Sequence, residues 1–421
     1  MRWMMLVLSL LLTGCDESGE FVFSTREPVV DSLDATDIDL KFTCVHEQVP
    51  APQSGPDVLF KYARWLQKNN QLKQDRLIDS EIERLYRIGA ENGHFKASIN
   101  LQNGAMRGRF QLYGDEHLRL SQKLIEAEIA TGYYFVAIFL QQGSAGLQRD
   151  QEMSLRYYRK AAYLGNVQAL YHVASKLAPV DFAPDVARQM RRCAAEQGDG
   201  RAALALATHF QLVGSFKEAV DLFQLGVGAG NSVAALALRE GFREFSPPDE
   251  RNYLGLREDL ERSERYRRIG TVLSNYSYAS PSVPEINDIV PLPPAKLPPW
   301  DGKLQWLEAR LANVPPEKPS EVLIHQLAKA KVLDPATGKP MPGYPAFSDA
   351  SFPIMTCVSG DGCPRPGYWK IILTSWTEHI RYFEEGDVMP QHLMTWPEPR
   401  LWPLRDKIVQ REERVRWGLL G

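Results

Sequence analysis

A phrase of about fifteen residues recurs between residues 84 and 234 and limits the chain to one kind of fold. At Arg156–Leu170 it reads RYYRKAAYLGNVQAL. Related phrases are RLYRIGAENGHFKAS from Arg84, KLIEAEIATGYYFVA from Lys123, QMRRCAAEQGDGRAA from Gln189 and DLFQLGVGAGNSVAA from Asp221. Aligned on their glycines, they place Gly93, Gly132, Gly165, Gly198 and Gly230 in one slot, with separations of 39, 33, 33 and 32. A period near 33 is that of helix pairs stacked into a solenoid. Such a fold presents surfaces and does not by itself name a chemistry.

Each position in the phrase has a mechanical reading. The glycine takes the left-handed conformation that ends a helix cheaply. Small residues on either side of it, Ala162 and Ala169 or Ala195 and Ala202, let two helices cross closely. An aromatic one turn earlier fills the space beside the crossing, as at Tyr86, Tyr158 and Phe223. Ala97, Val136, Ala202 and Ala234 are the small or aliphatic residues after the glycine in the other copies, and Ile125 and Arg191 replace the aromatic in two of them. These residues should govern stability, so Gly165→Val is expected to unfold the chain before it weakens any partner.

The stretches YRKAAYLGNVQA and RRCAAEQGDGRA resemble the Sel1-like repeat, a relative of the tetratricopeptide repeat. The resemblance covers residues 57–280, ending in a worn unit at Tyr266–Ala279 where Ser274 stands in the glycine slot. It implies a mainly α chain: an α-solenoid of helix-turn-helix repeats, followed by a small α+β module. Asp57, after Pro56, is a candidate N-cap for the first helix, and Ser80 with Glu83 reads as a capping box.

The ends of the chain differ in character. Residues 1–15 begin with Arg2, continue with a short apolar run and close on Leu12-Thr-Gly-Cys15. The run is too short to span a membrane and reads as a signal peptide. Its close resembles a bacterial lipobox, which implies lipid attachment at Cys15 and a periplasmic protein held to a membrane. Asp16 resembles an inner-membrane retention signal. Residues 16–56 are polar and proline-bearing, a tether with a short strand near Leu40–Val45. Residues 281–299 hold seven prolines and form a stiff linker, with Ile286, Ile289, Val290 and Leu292 able to pack on the solenoid. Residues 300–421 carry seven of the nine tryptophans. There Trp300–Leu311 and Ser320–Lys331 read as helices, and Tyr368–Thr374 and Val388–Met394 as strands.

Four cysteines follow Cys15. Cys357 and Cys363 flank a loop with two glycines and are expected to form a disulfide. Cys44 and Cys193 remain for a second bridge, but Cys193 lies on a repeat helix and reads rather as a buried small hydrophobe. No spacing suggests a metal site, and no motif calls for a cofactor. The net charge of −3 gives no ground for a nucleic-acid partner.

No catalytic motif stands out. His94, His172 and His209 sit in repeat helices, where packing is the plainer role. Glu384, Glu385 and Asp387 read as a solvated turn, and Arg191-Arg192 and Arg267-Arg268 as solubilising charge. An enzyme would have to combine residues such as His325, Glu378 and His379. The segment Cys363-Pro364-Arg-Pro-Gly367-Tyr-Trp369 resembles an element in the C-terminal domain of immunity proteins against type VI secretion effectors. Sel1-like members of that group accompany phospholipase D-type toxins. The resemblance implies a non-enzymatic lipoprotein that binds and occludes such a toxin. The alternative from another class is a cell-envelope scaffold that assembles protein partners without inhibiting them.

Overall fold

The computed structural model describes residues 42–112, 114–178, 183–243, 253–341, 344, 356–372, 380–398 and 407–419. Twelve helices lead, in chain order: α1 (Ser54–Asn70), α2 (Arg76–Glu91), α3 (Phe95–Met106), α4 (Gly114–Glu126), α5 (Ala130–Gln142), α6 (Gln151–Tyr163), α7 (Val167–Leu177), α8 (Pro184–Glu196), α9 (Gly200–Leu212), α10 (Phe216–Gly228), α11 (Ser232–Arg243) and α12 (Leu260–Asn275). Each packs on its neighbour in sequence, which makes a solenoid of helix pairs.

The five turns that close the repeated phrase share one hydrogen-bond pattern, which also closes the turns at Gly108 and Gly214. At Gly165 the amide N–H donates to Ala162 O at 3.0 Å and the next amide, Asn166, donates to Ala161 O at 2.9 Å. This is a Schellman closure, and it recurs at Gly93, Gly198 and Gly230. All four glycines have positive φ, from 81° to 93°. The following residue then caps the next helix. His94, Asn166, Asp199 and Asn231 each accept the N–H of the small residue three positions on.

The fifth copy corrects the sequence alignment. Its closing turn lies at Glu128, with φ 58°, where Glu128 N donates to Ile125 O and Ile129 N to Leu124 O. Gly132 is not a pivot. It stands four residues later, in the slot of Ala97, Ala169, Ala202 and Ala234, inside α5. A Cβ there would lie 2.7 Å from Ser121 O, so glycine is what allows α4 and α5 to approach. Ser121, not Ile125, occupies the aromatic slot, and Val136 lies a turn deeper in α5. The turns are thus 35, 37, 33 and 32 residues apart. Glu128→Gly should remove left-handed strain, raising stability by about 1 kcal/mol in a denaturant titration; a loss of stability would show that Glu128 makes a contact worth more than its strain.

Two expected helix starts also move. α1 begins at Ser54, with Gln53 as N-cap, so Pro56 sits in the first turn where its missing N–H is harmless. α2 begins at Arg76 with Asp75 accepting from Leu77 N. Ser80 therefore lies within the helix and donates to Arg76 O at 2.9 Å.

The described end of the N-terminal tether is clamped. No strand forms among residues 42–53. Cys44 is bonded to Cys193, Phe42 meets the Tyr163 ring, and Gln197 Nε2 donates to Val45 O at 3.2 Å. Glu47 accepts from Thr131 N at 2.6 Å and Thr131 Oγ1 at 2.9 Å. It thereby supplies the N-terminal cap that Ile129 cannot make for α5.

Residues after α12 form a second strap. Val283, Ile286, Ile289 and Val290 are buried in the core of the last helices. Proline-rich backbone has more acceptors than donors, and buried arginines take up the surplus: Arg265 donates to Ile289 O at 2.7 Å, and Arg262 to Pro291 O and Ala295 O. After the one-turn α13 (Ile286–Ile289) come α14 (Gln305–Ala312) and α15 (Glu321–Ala330). α14 reaches from the last helix pair to the first. Trp306 packs edge-on to Tyr276, while Trp65 and Asn69 donate to Asn313. α15, capped by Ser320, buries Ile324 and Ala328 in the core of α1 and α2.

The remaining strands are β1 (Thr356–Val358), β2 (Gly367–Ile372), β3 (Ile380–Phe383), β4 (His392–Glu398), β5 (Lys407–Glu413) and β6 (Arg416–Leu419). β1, β6, β2 and β3 form one antiparallel sheet in that order, and β4 pairs with β5. Trp369 and Trp417 fill the small core of this module. The expected Cys357–Cys363 bridge is absent: both are free buried thiols, and the disulfide joins Cys44 to Cys193 instead. The Cys357 thiol faces Gly362 O at 3.5 Å and that of Cys363 faces Arg365 O at 3.0 Å, so each is engaged by backbone rather than by the other.

Candidate functional site

The slot residues named from the sequence are interior scaffold. Tyr86, Ala97, Tyr158, Ala162, Ala169, Ala195, Ala202, Phe223 and Ala234 are buried. The Tyr86 and Tyr158 hydroxyls donate to Gln67 at 3.0 Å and Gln141 at 2.8 Å. Burial pushes both phenols up to about 12, so they stay protonated donors.

The repeat core also holds a charged cluster that the helical pattern did not reveal. Arg87, buried, donates from Nε to Glu116 at 2.8 Å, from Nη1 to Glu83 at 2.6 Å and from Nη2 to Gln111 O at 2.7 Å. One turn on, Glu91 accepts from Arg119 at 2.6 Å, Lys123 at 2.7 Å and the Tyr344 hydroxyl at 2.5 Å. Burial opposes the Glu91 charge, but the two cations prevail and hold its carboxyl at about 2. Burial alone takes His117 down to about 4.

Both shifts predict acid lability with the same sign. A folded-state pKa below the unfolded one favours folding above the unfolded value, and that gain is lost as pH falls. His117 should lose its share between about pH 6.5 and 4, and Glu91 its share between about 4.5 and 2. At about 1.4 kcal/mol per unit, Glu91 contributes about 3 kcal/mol at neutral pH. Urea titrations at pH 7, 5 and 3 measure this, and His117→Phe should flatten only the upper step. A His117→Phe chain with the wild-type slope between pH 7 and 5 would remove His117 from the account.

The other candidates separate in space. His94 caps α3 and stacks on Phe60 with ring centres 4.3 Å apart, and His172 stacks on Tyr158 at 4.0 Å. His209 lies against Phe210. Arg267 and Arg268 both pair with exposed Glu264. Glu384 and Asp387 belong to one exposed turn, closed by Glu384 N donating to Asp387. His325 lines a mainly apolar groove of about 790 Å³ with Val322, Lys329, Val332 and Met341. Glu378, His379 and Cys15 lie outside the described residues. Among the described residues no His, Cys, Asp and Glu side chains group as a metal site. Of the Cys363–Trp369 element, Cys363 and Trp369 are buried, Pro364 is exposed, and Trp369 Nε1 donates to Arg365 O at 3.2 Å. Gly367 opens β2. The element shapes the turn that enters this strand.

Two straps lie on the turns of the solenoid, one at Gly165 and one at Gly230. The β module adjoins the solenoid at Tyr382, whose ring meets Tyr157 of α6 with centres 6.0 Å apart. Sequence reasoning missed the caps that follow each pivot glycine, although a polar residue after each of the four glycines was there to be read. It also missed Glu47, whose partner lies 84 residues away and leaves no local trace.

Period, Schellman turn and small-residue slots agree with one another. The described helices form an α-solenoid of repeated helix pairs. Residues 234–341 match a family model described as a domain of unknown function, DUF6396. That segment runs from α11 through the second strap to Met341, across the expected linker. No curated protein matches the chain. Similar solved structures include immunity protein PA5088 from Pseudomonas aeruginosa, at 25% identity and TM-score 0.47 over 60% of this chain and 94% of that one. PA5086 from the same organism is 26% identical, with TM-score 0.46 over 60% and 95%. A Sel1 repeat protein from Oxalobacter formigenes is 19% identical, with TM-score 0.36 over 52% and 87%.

Proposed function

We propose that the chain is a non-enzymatic immunity lipoprotein of the bacterial envelope. It binds a phospholipase-type toxin delivered by type VI secretion and covers the toxin's active site. The observation that carries this reading is the presence, in one chain, of Sel1-like repeats and the Cys363–Trp369 element that enters β2. The Cys44–Cys193 disulfide fits an oxidising compartment. Two straps brace the repeats, so little ordering is left to be done on binding, which favours a tight inhibitor. The buried ions Arg87, Glu91, Arg262 and Arg265 join helices to one another or to a strap, a structural task. A lipid on Cys15 would hold the inhibitor where a lipid-cleaving toxin acts and raise its effective concentration there.

The purified chain should form a complex with the phospholipase-type effector of its own strain and stop hydrolysis of phospholipid vesicles. A complex that leaves hydrolysis intact would favour an envelope scaffold, and no complex would end the immunity reading. Cys15→Ser should keep binding in solution while cells carrying it lose protection.

A further inference from the structure

Where α1 and α14 meet, two cations come together without a carboxylate. Arg310, in the last turn of α14, lies beside the rings of Tyr276, Tyr278 and Trp306, with ring centres 5.9, 5.4 and 5.6 Å away. Its Nη2 donates to Gln71 Oε1 at 3.5 Å, which sets it against the end of α1. Lys68 stands in the last turn of that helix. Burial, and then the nearby Arg310 charge, hold its ammonium below the usual lysine range. Among the described residues neither cation pairs with an acidic side chain. Lys61, on the same helix, does pair, with Asp57 at 2.6 Å. A helix C-terminus carries about half a negative charge, so the two ends offset about one of the two positive charges and leave about one unmatched.

Apolar side chains next to these cations stand uncovered. Leu72 follows Gln71 and is 69% exposed, and Leu311 follows Arg310 and is 64% exposed. Val314, 76% exposed, follows Asn313. The Asn313 carbonyl and side-chain oxygens accept from Trp65 and Asn69 of α1 at 3.3 and 3.1 Å, so Val314 leaves from the same junction. Tyr278, beside Arg310, is exposed as well. Unmatched cations, tyrosine and tryptophan rings and bare aliphatic side chains complement one surface in particular. A phospholipid layer offers phosphates to the cations, a headgroup level to the rings and an acyl boundary to the aliphatic groups.

We propose that the α1–α14 junction is a membrane contact: Lys68 and Arg310 take the phosphates of anionic phospholipids while Leu72, Leu311 and Val314 enter the headgroup boundary. It rests on the envelope part of the reading above and needs no toxin. Two cations give roughly a thirtyfold preference for an anionic surface. That is too little to anchor a chain, and enough to fix which way an anchored solenoid faces.

The test is sedimentation with vesicles at low salt, using residues 16–421, which keep every described residue and lack the lipid. Wild type should partition onto phosphatidylglycerol vesicles at least about tenfold more strongly than onto phosphatidylcholine vesicles. Lys68→Gln with Arg310→Gln should lose that preference. Leu311→Ser with Val314→Ser changes only exposed side chains, so its thermal melt should stay at the wild-type value. Its binding to phosphatidylglycerol should fall about tenfold. Wild type left in the supernatant, or either variant partitioning as wild type does, would overturn the proposal and leave immunity intact. Variants that keep lipid binding but lose an effector complex would overturn it too, by assigning the junction to a protein partner. Wild type that binds lipid through these residues but no effector would sustain the contact while the immunity reading fails.

Discussion

Arg87→Met is expected to lower the unfolding free energy by about 3–5 kcal/mol, the usual cost of leaving a buried ion without its partner. The substitution keeps the side-chain length but strands Glu116 and Glu83, which Arg87 holds at 2.8 and 2.6 Å, and frees the Gln111 carbonyl. Glu116 is itself buried and belongs to the next helix pair, so its charge has no cheap route to water. Denaturant unfolding followed by circular dichroism gives the number. The double variant Arg87→Met, Glu116→Leu should recover part of the loss, because it removes the two buried charges together and leaves only the half-buried Glu83 without its cation. A single variant within about 1 kcal/mol of wild type would mean that water reaches Glu116 once the guanidinium is gone.

The Arg87 cluster also marks how far the sequence could be read. Helix pairing and the small-residue slots were legible because they repeat: Ala97, Ala169, Ala202 and Ala234 do the same job each time. The copy that misled did so through substitution. With Glu128 at the turn, the nearest glycine was Gly132, and a residue serving close approach was taken for one serving a left-handed bend. The distinction lies in φ, which is 58° at Glu128, and a letter does not carry it. The cysteine pairing failed for a related reason. Six residues of separation made Cys357 and Cys363 look joined, whereas Cys44 and Cys193 meet only because a non-repetitive segment returns across the repeats. The charged cluster, Glu47 and the strap arginines are all contacts between distant segments, each made once, so no period exposes them. The turn caps were different. His94, Asn166, Asp199 and Asn231 all follow a pivot glycine, a regularity present in the letters.

The second large effect should come from Gly165→Val, at about 4 kcal/mol or more, and its size should depend on the strap rather than on the turn. Gly165 and Gly198 have almost the same backbone, φ 91° and 93°, so valine is strained at both, by about 1–3 kcal/mol. Only at Gly165 does the new side chain also meet backbone, with Val45 O, Glu47 N and His46 C all within 2.8 Å of its Cβ. Backbone there cannot step aside, since Cys44 is bonded to Cys193 and Glu47 is locked on α5. Gly198→Val, which meets nothing, should therefore show the strain alone. Releasing the strap with Cys44→Ser should shrink the Gly165→Val loss toward the Gly198→Val value, a non-additivity of at least about 1 kcal/mol. Equal losses at the two glycines, or simple additivity with Cys44→Ser, would mean that the segment 42–49 does not press on the turn in solution.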